Sequence, residues 1–169
     1  MIDDAHRRAA PGTVRFAVIT ATDSRDLEHD LGGARLVELA RDGGHEVTRR
    51  ALVPDDRDRI AEEVEAALSA DDVDCVLVTG GTGVAPRDLT VEAVDNLLAK
   101  ELPGFGELFR ALSYAEIGPA AMLSRATAGV RSGKALFLLP GSPRALELAM
   151  AKLILPEIGH LLGQARRER

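Results

Sequence analysis

Three glycines fall within four positions in Thr79-Gly80-Gly81-Thr82-Gly83. Such a turn carries few side chains, so its backbone N–H groups can face an anion. Thr82 adds a hydroxyl donor. No Gly-Lys-Ser/Thr follows, so this is not a P-loop, and the Gly-x-Gly-x-x-Gly spacing of dinucleotide sites is absent. A tight strand-to-helix turn without a ligand would use the same glycines, so the turn alone leaves two readings open. Asp88 follows in Pro86-Arg87-Asp88-Leu89-Thr90. A carboxylate beside bound phosphate is repelled unless a cation lies between them, and Mg²⁺ takes one or two carboxylates plus phosphate oxygens. Asp55, in Pro54-Asp55-Asp56, raises the same conflict. Capping is the alternative: Asp88 for a helix starting at Thr90, and Asp55 or Asp56 for a helix starting at Arg57.

Arg87 and Arg125 are candidate phosphate clamps, because a guanidinium grips two phosphate oxygens at once; surface ion pairs would account for them equally well. Pro140-Gly141-Ser142-Pro143 has the pattern of a helix start, with Ser142 as N-cap and Pro143 in the first turn. A helix start is also an anion site. The histidines His6, His29, His45 and His160 are scattered, so no zinc site is expected. Ser24, Ser113 and Ser124 have no adjacent candidate base.

The elements that must position these residues alternate strand and helix. Val14–Thr20, Glu46–Val53, Val73–Thr79 and Lys134–Leu139 have the apolar or β-rich character of strands, and 124–130 reads as extended. Helices are predicted over 31–41, 57–69, 90–100 (with Thr90 as N-cap) and 105–113. A last helix runs from Pro143 toward Leu162 with a kink at Pro156. This alternation predicts an α/β fold: three layers, a mostly parallel sheet with helices on both faces. Ligands in such folds bind beyond the carboxyl ends of the strands. The turns at Pro54-Asp55-Asp56, Thr79–Asp88 and Pro140–Pro143 should therefore share one rim.

The chain's 169 residues predict a single domain over 14–169 behind a flexible lead-in over 1–13. A net charge of −6 and 3% aromatic residues argue against a nucleic-acid surface. No apolar run approaches membrane-spanning length. The polar N-terminus has no signal-peptide core, and the single Cys75 suits a reducing compartment, so a cytoplasmic protein is expected.

Taken together, five ordered motifs resemble the molybdopterin-binding MogA/MoaB family. They are Thr79–Gly83 with Pro86–Ala93; Pro103–Glu107 with Phe109-Arg110 and Leu112-Ser113; Ile117-Gly118; Leu123–Ala126 with Ala128-Gly129; and Leu139–Pro143. Thr20–Arg25 resembles the family's first strand and loop. The resemblance runs from Val14 to Leu162 and implies a molybdopterin-binding-domain fold and a role in molybdenum cofactor biosynthesis. MogA-type members adenylylate molybdopterin with ATP and Mg²⁺ and release pyrophosphate. Their two functional aspartates correspond to Asp55 and Asp88, implied as catalytic and metal-holding. The implied substrate-binding set is Thr79, Gly80, Gly81, Thr82, Gly83, Arg87, Thr90, Ser113, Ser124, Arg125, Pro140, Gly141, Ser142 and Pro143. The stretch Phe109–Ser113 with Glu116–Gly118 leans toward MoaB, which implies the alternative of an oligomeric molybdopterin-binding protein without turnover. A generic sugar- or nucleotide-phosphate binder is a third reading. Implied partners are further copies of the chain, as trimer or hexamer, and other cofactor-synthesis proteins. One departure is Gly32, where the family commonly has Ser.

Overall fold

Successive residues of the central strands point into opposite cores, as a sheet covered on both faces requires. The computed structural model describes residues 12–167; the lead-in expected over 1–13 lies almost wholly outside them. The sheet is built from β1 (Arg15–Ala21), β2 (Glu46–Val53), β3 (Cys75–Thr79), β4 (Lys100–Glu101), β5 (Thr127–Arg131) and β6 (Lys134–Leu139). Their order is β2-β1-β3-β6-β5-β4. β1 pairs parallel with β2 and β3, and β3 with β6. β5 pairs antiparallel with β6 and β4.

Phe16, Val18, Leu77, Phe137 and Leu139 enter one core. It is closed by α1 (Leu31–Asp42), α4 (Pro103–Ile117) and a C-terminal helical stretch. Ala17, Ile19, Val76, Val78, Leu136 and Leu138 enter the other, closed by α2 (Arg57–Ser69) and the short α3 (Thr90–Val94). Each large apolar side chain fully buried in these layers contributes about 1.5–3 kcal/mol. The three-layer, mostly parallel α/β arrangement is the one that the strand–helix alternation predicts.

Helix starts follow local chemistry. The Asp30 carboxylate accepts the Gly33 N–H at 2.9 Å to open α1, and Asp56 accepts the Arg59 N–H at 3.0 Å to open α2. Asp56, not Asp55, is therefore the cap, and Asp55 has no capping duty. Ser142 accepts the Ala145 N–H at 3.3 Å and Pro143 takes the first turn of α5 (Pro143–Ala149).

Several boundaries differ from expectation. The helix expected over 90–100 stops at Val94, because the chain must leave it to reach the sheet edge. There the Ala99 N–H donates to the Val130 carbonyl and the Leu102 N–H to the Ala128 carbonyl. Thr90 is not the N-cap; Leu89 holds that position, and the Thr90 hydroxyl donates to the Gly80 carbonyl at 2.8 Å. The extended stretch 124–130 resolves into β5, which turns back on β6 through Ser132 and Gly133, both at positive φ, so this edge is antiparallel. The expected break near Pro156 is a π turn, Met150–Ile154, between α5 and α6 (Leu155–Ala165). Pro156 has no N–H to continue the α pattern, and a wider turn relieves its clash with the preceding carbonyls.

At the amino ends of the strands, the Asp74 carboxylate accepts from Arg15 Nε at 2.9 Å, Arg15 Nη2 at 3.0 Å and Arg166 Nη2 at 2.6 Å. Burial alone would raise this carboxyl; the two guanidiniums override it and hold Asp74 well below the usual carboxylate range. The contact ties the end of α6 to the sheet on the side away from the glycine turn.

Candidate functional site

Strand register brings the three turns to one level. Ala21 lies opposite Val53, Thr20 opposite Thr79, and Thr79 opposite Leu139. The backbone that follows each strand therefore leaves the sheet along one rim. It encloses a cleft of about 520 Å³ lined by residues after β1, β2, β3 and β6. That volume suits a small ligand.

The glycine turn forms the floor. Gly80 and Gly81 have φ of +94° and +65°, where an L side chain is strained. A Cβ on Gly80 would lie 2.4 Å from the Ala21 carbonyl oxygen, and one on Gly81 would lie 2.3 Å from Thr90 Oγ1. Packing thus explains both glycines, and their bareness also leaves backbone exposed to the cleft. Thr79 Oγ1 donates to the Pro140 carbonyl at 2.9 Å, which ties the glycine turn to the start of α5. Gly141 and Ser142 line the cleft at that start.

Asp55 and Asp88 come from different turns and line the same cleft, together with Arg87 and Asp23. Both are half-buried. Asp88 does not cap a helix; its Oδ2 accepts the Ala85 N–H at 2.8 Å within its own turn. Desolvation, then the negative charge of Asp23 and more weakly that of Asp88, raise the Asp55 carboxyl, while the Asp23 backbone and then the Arg87 charge partly offset them. Excess negative charge in a concave wall favours a cation. Among the described residues no group of three or more His, Cys, Asp or Glu converges into a metal cage. The donor set suits Mg²⁺ held by one or two carboxylates, with phosphate oxygens and water completing its shell.

Of the expected residues, Thr79 to Gly83, Arg87, Ser124, Pro140, Gly141 and Ser142 line the cleft with the two aspartates. Four others do not. Ser113 is on the buried face of α4. Pro143 belongs to the first turn of α5, behind Ser142. Thr90 braces the Gly80 carbonyl from behind. Arg125 is not a free phosphate clamp: its Nε donates to the Gly83 carbonyl at 2.7 Å and Nη2 to the Asp88 carbonyl at 2.8 Å, and it pairs with Glu92.

Sequence reasoning missed Asp23, whose Oδ1 accepts the Asp55 N–H at 2.9 Å. No spacing signal marks a contact across 32 residues. It also missed the buried brace behind this loop. Asp30 accepts from the Thr20 hydroxyl at 2.9 Å and from Arg50 Nη2 at 3.1 Å. Gly32, the departure from the family pattern, lines the cleft, and a Cβ there would meet the Gly141 carbonyl at 3.4 Å, an ordinary contact. The wall therefore admits a Cβ at that position.

Residues 17–160 match the family model described as "Probable molybdopterin binding domain". The molybdenum cofactor biosynthesis protein B of Halalkalibacterium halodurans is 47% identical over 167 residues, covering 98% of each chain. A crystal structure of a molybdenum cofactor biosynthesis protein B superposes with a TM-score of 0.91 at 49% identity, covering 94% of this chain and 99% of that one. The tungsten cofactor synthesizing protein MoaB from Pyrococcus furiosus superposes at 0.84 with 37% identity, covering 94% of this chain and 100% of that one. With the model spanning most of the sheet and all three cleft turns, this chain belongs to the molybdopterin-binding family of molybdenum cofactor biosynthesis proteins, alongside the MoaB proteins.

Proposed function

We propose that the chain is a Mg²⁺-dependent molybdopterin adenylyltransferase that joins ATP to the terminal phosphate of molybdopterin and releases pyrophosphate. The observation that carries this reading is the meeting of Asp55 and Asp88, from separate turns, in one cleft with the glycine floor and the start of α5. A pterin phosphate oxygen attacks the α-phosphorus of ATP; the new P–O bond forms as the bond to the bridging oxygen breaks and pyrophosphate leaves. The nucleophile is already an oxyanion, so little general-base help is needed. The barrier lies in bringing two anions into line and neutralising their charge. Bound Mg²⁺ supplies that neutralisation. Asp55 and Asp88 would hold it, backbone N–H groups of the glycine turn and of Gly141–Ser142 would orient phosphate oxygens, and Arg87 would add positive charge at the rim.

Purified protein given molybdopterin, ATP and Mg²⁺ should release pyrophosphate. Asp88→Ala should abolish release while molybdopterin still binds. Absence of adenylylated product from the wild type rejects the transferase reading. Tight molybdopterin binding that is independent of nucleotide would then support the second reading, a binding protein without turnover. The MoaB-like stretch Phe109–Ser113 with Glu116–Gly118 favours that alternative.

Leu108, Tyr114, Ile117 and Met122 are large, apolar and exposed, which supports self-association as a trimer or hexamer through α4 and the turn that follows it. Contact with other cofactor-synthesis proteins belongs to the same reading. No described helix is long and apolar enough to cross a membrane. With buried Cys75 as the only cysteine, we place the protein in the cytoplasm, as a single domain over 14–169.

A further inference from the structure

We infer that Arg125 is a positioning residue for the Asp88 carboxylate, acting by strapping the two ends of segment 83–88 together. Its Nε donates to the Gly83 carbonyl at 2.7 Å and its Nη2 to the Asp88 carbonyl at 2.8 Å. Its main-chain N–H donates to the Thr82 carbonyl at 3.0 Å. Glu92, in the first turn of α3, pairs with Nη1 and accepts from Nη2 at 3.3 Å. Arg125 is itself held from behind, because Arg110 Nη1 donates to the Ser124 and Ala126 carbonyls on either side of it, at 3.3 and 3.1 Å. The guanidinium thus faces the back of the turn and does not line the cleft.

The strap bears on Asp88 because Gly83 and the Asp88 carboxylate are nearly in contact. A Cβ on Gly83 would sit 2.7 Å from Asp88 Oδ2. The separation of residues 83 and 88 therefore sets where the carboxylate points, and the same Oδ2 accepts the Ala85 N–H at 2.8 Å inside the strapped segment. A planar fork that bridges two carbonyls and a carboxylate cannot be replaced by the point charge of lysine. The inference rests on the proposed role of Asp88 in holding Mg²⁺ with a nucleotide.

The test uses the full chain with Arg125→Lys, Glu92→Gln and Asp88→Asn. In the ligand-free protein, amide hydrogen exchange over 82–90 should rise about tenfold in Arg125→Lys, the scale of one lost charge-assisted hydrogen bond, with β1 and β3 amides unchanged. The Mg²⁺ concentration giving half-maximal ATP binding by calorimetry should rise about tenfold in the same variant. Glu92→Gln should shift both in the same direction. Arg125→Lys should add nothing to Asp88→Asn, as expected of residues acting through one another. Unchanged exchange over 82–90, a lower Mg²⁺ requirement in Glu92→Gln, or additive losses in the double variant each overturn the strap. A wild type that releases no pyrophosphate rejects the transferase instead, and the exchange measurement still decides the role of Arg125.

Discussion

The Asp55 N–H donates to the Asp23 carboxylate at 2.9 Å, so the turn after β1 grips the neighbouring turn after β2 in the wall of the cleft. This contact holds one acidic residue against the backbone of another and keeps both charges close. Desolvation and the Asp23 charge together raise the Asp55 carboxyl.

The pH dependence follows from that charge. If the ionised Asp55 is the active form, its raised pKa moves the acid limb of pyrophosphate release upward. Removing the Asp23 charge lets Asp55 ionise at lower pH, so the acid limb should move down in Asp23→Asn. A pH profile for both proteins checks this; a limb that stays in place or moves up rejects Asp55 as the titrating group.

Loss of either cleft carboxylate should act mainly on turnover. Asp55→Asn and Asp88→Asn should each lower kcat by about 10²–10³, the usual scale for one electrostatic group at a charged transition state. Molybdopterin affinity should change by no more than a few fold. Pyrophosphate release and equilibrium binding, measured on the same samples, separate the two effects.

Gly81→Ala should cost about 1–3 kcal/mol of folding stability in denaturant titrations. The new methyl meets a positive φ of +65° and lies 2.3 Å from Thr90 Oγ1. It would push away the hydroxyl that holds the Gly80 carbonyl. Gly12→Ala, where a Cβ meets nothing within 4 Å, is the control and should be near neutral.

Asp74 governs acid stability. Its folded pKa is depressed, so its contribution is fully present above the unfolded carboxyl value of about 3.9 and is lost as pH falls through the folded value. Asp74→Asn should therefore cost about 2–3 kcal/mol at neutral pH, the scale of hydrogen bonds to a charged group. The difference from wild type should shrink in strong acid. Denaturation midpoints across pH 7 to about 2 measure it.

The sequence is most legible where punctuation is local. β2, α2 and β6 fall on the residues that the pattern marks, because Gly43-Gly44, Pro54 and Ser132-Gly133 announce their ends through backbone preferences. The common rim was also legible, since parallel strands leave their carboxyl ends on one side. Long-range pairing was not. Asp95–Ala99 looks helical in isolation, yet the Ala99 N–H pairs with Val130 of β5, about thirty residues later in the chain. Thr90 has the chemistry of a cap, yet its hydroxyl turns to the Gly80 carbonyl. Arg125 has the chemistry of a phosphate clamp, and only the tertiary fold brings three protein acceptors within its reach first.

The strand order has a consequence for assembly in time. β6 is the last strand made, yet it lies between β3 and β5. A nascent chain that has emerged only through β5 already carries both aspartates and all the glycines of the floor, but it lacks the wall at Pro140–Ser142. Ligand capture must therefore wait for the carboxyl-terminal segment, and fragments ending before it should be blind to ligand.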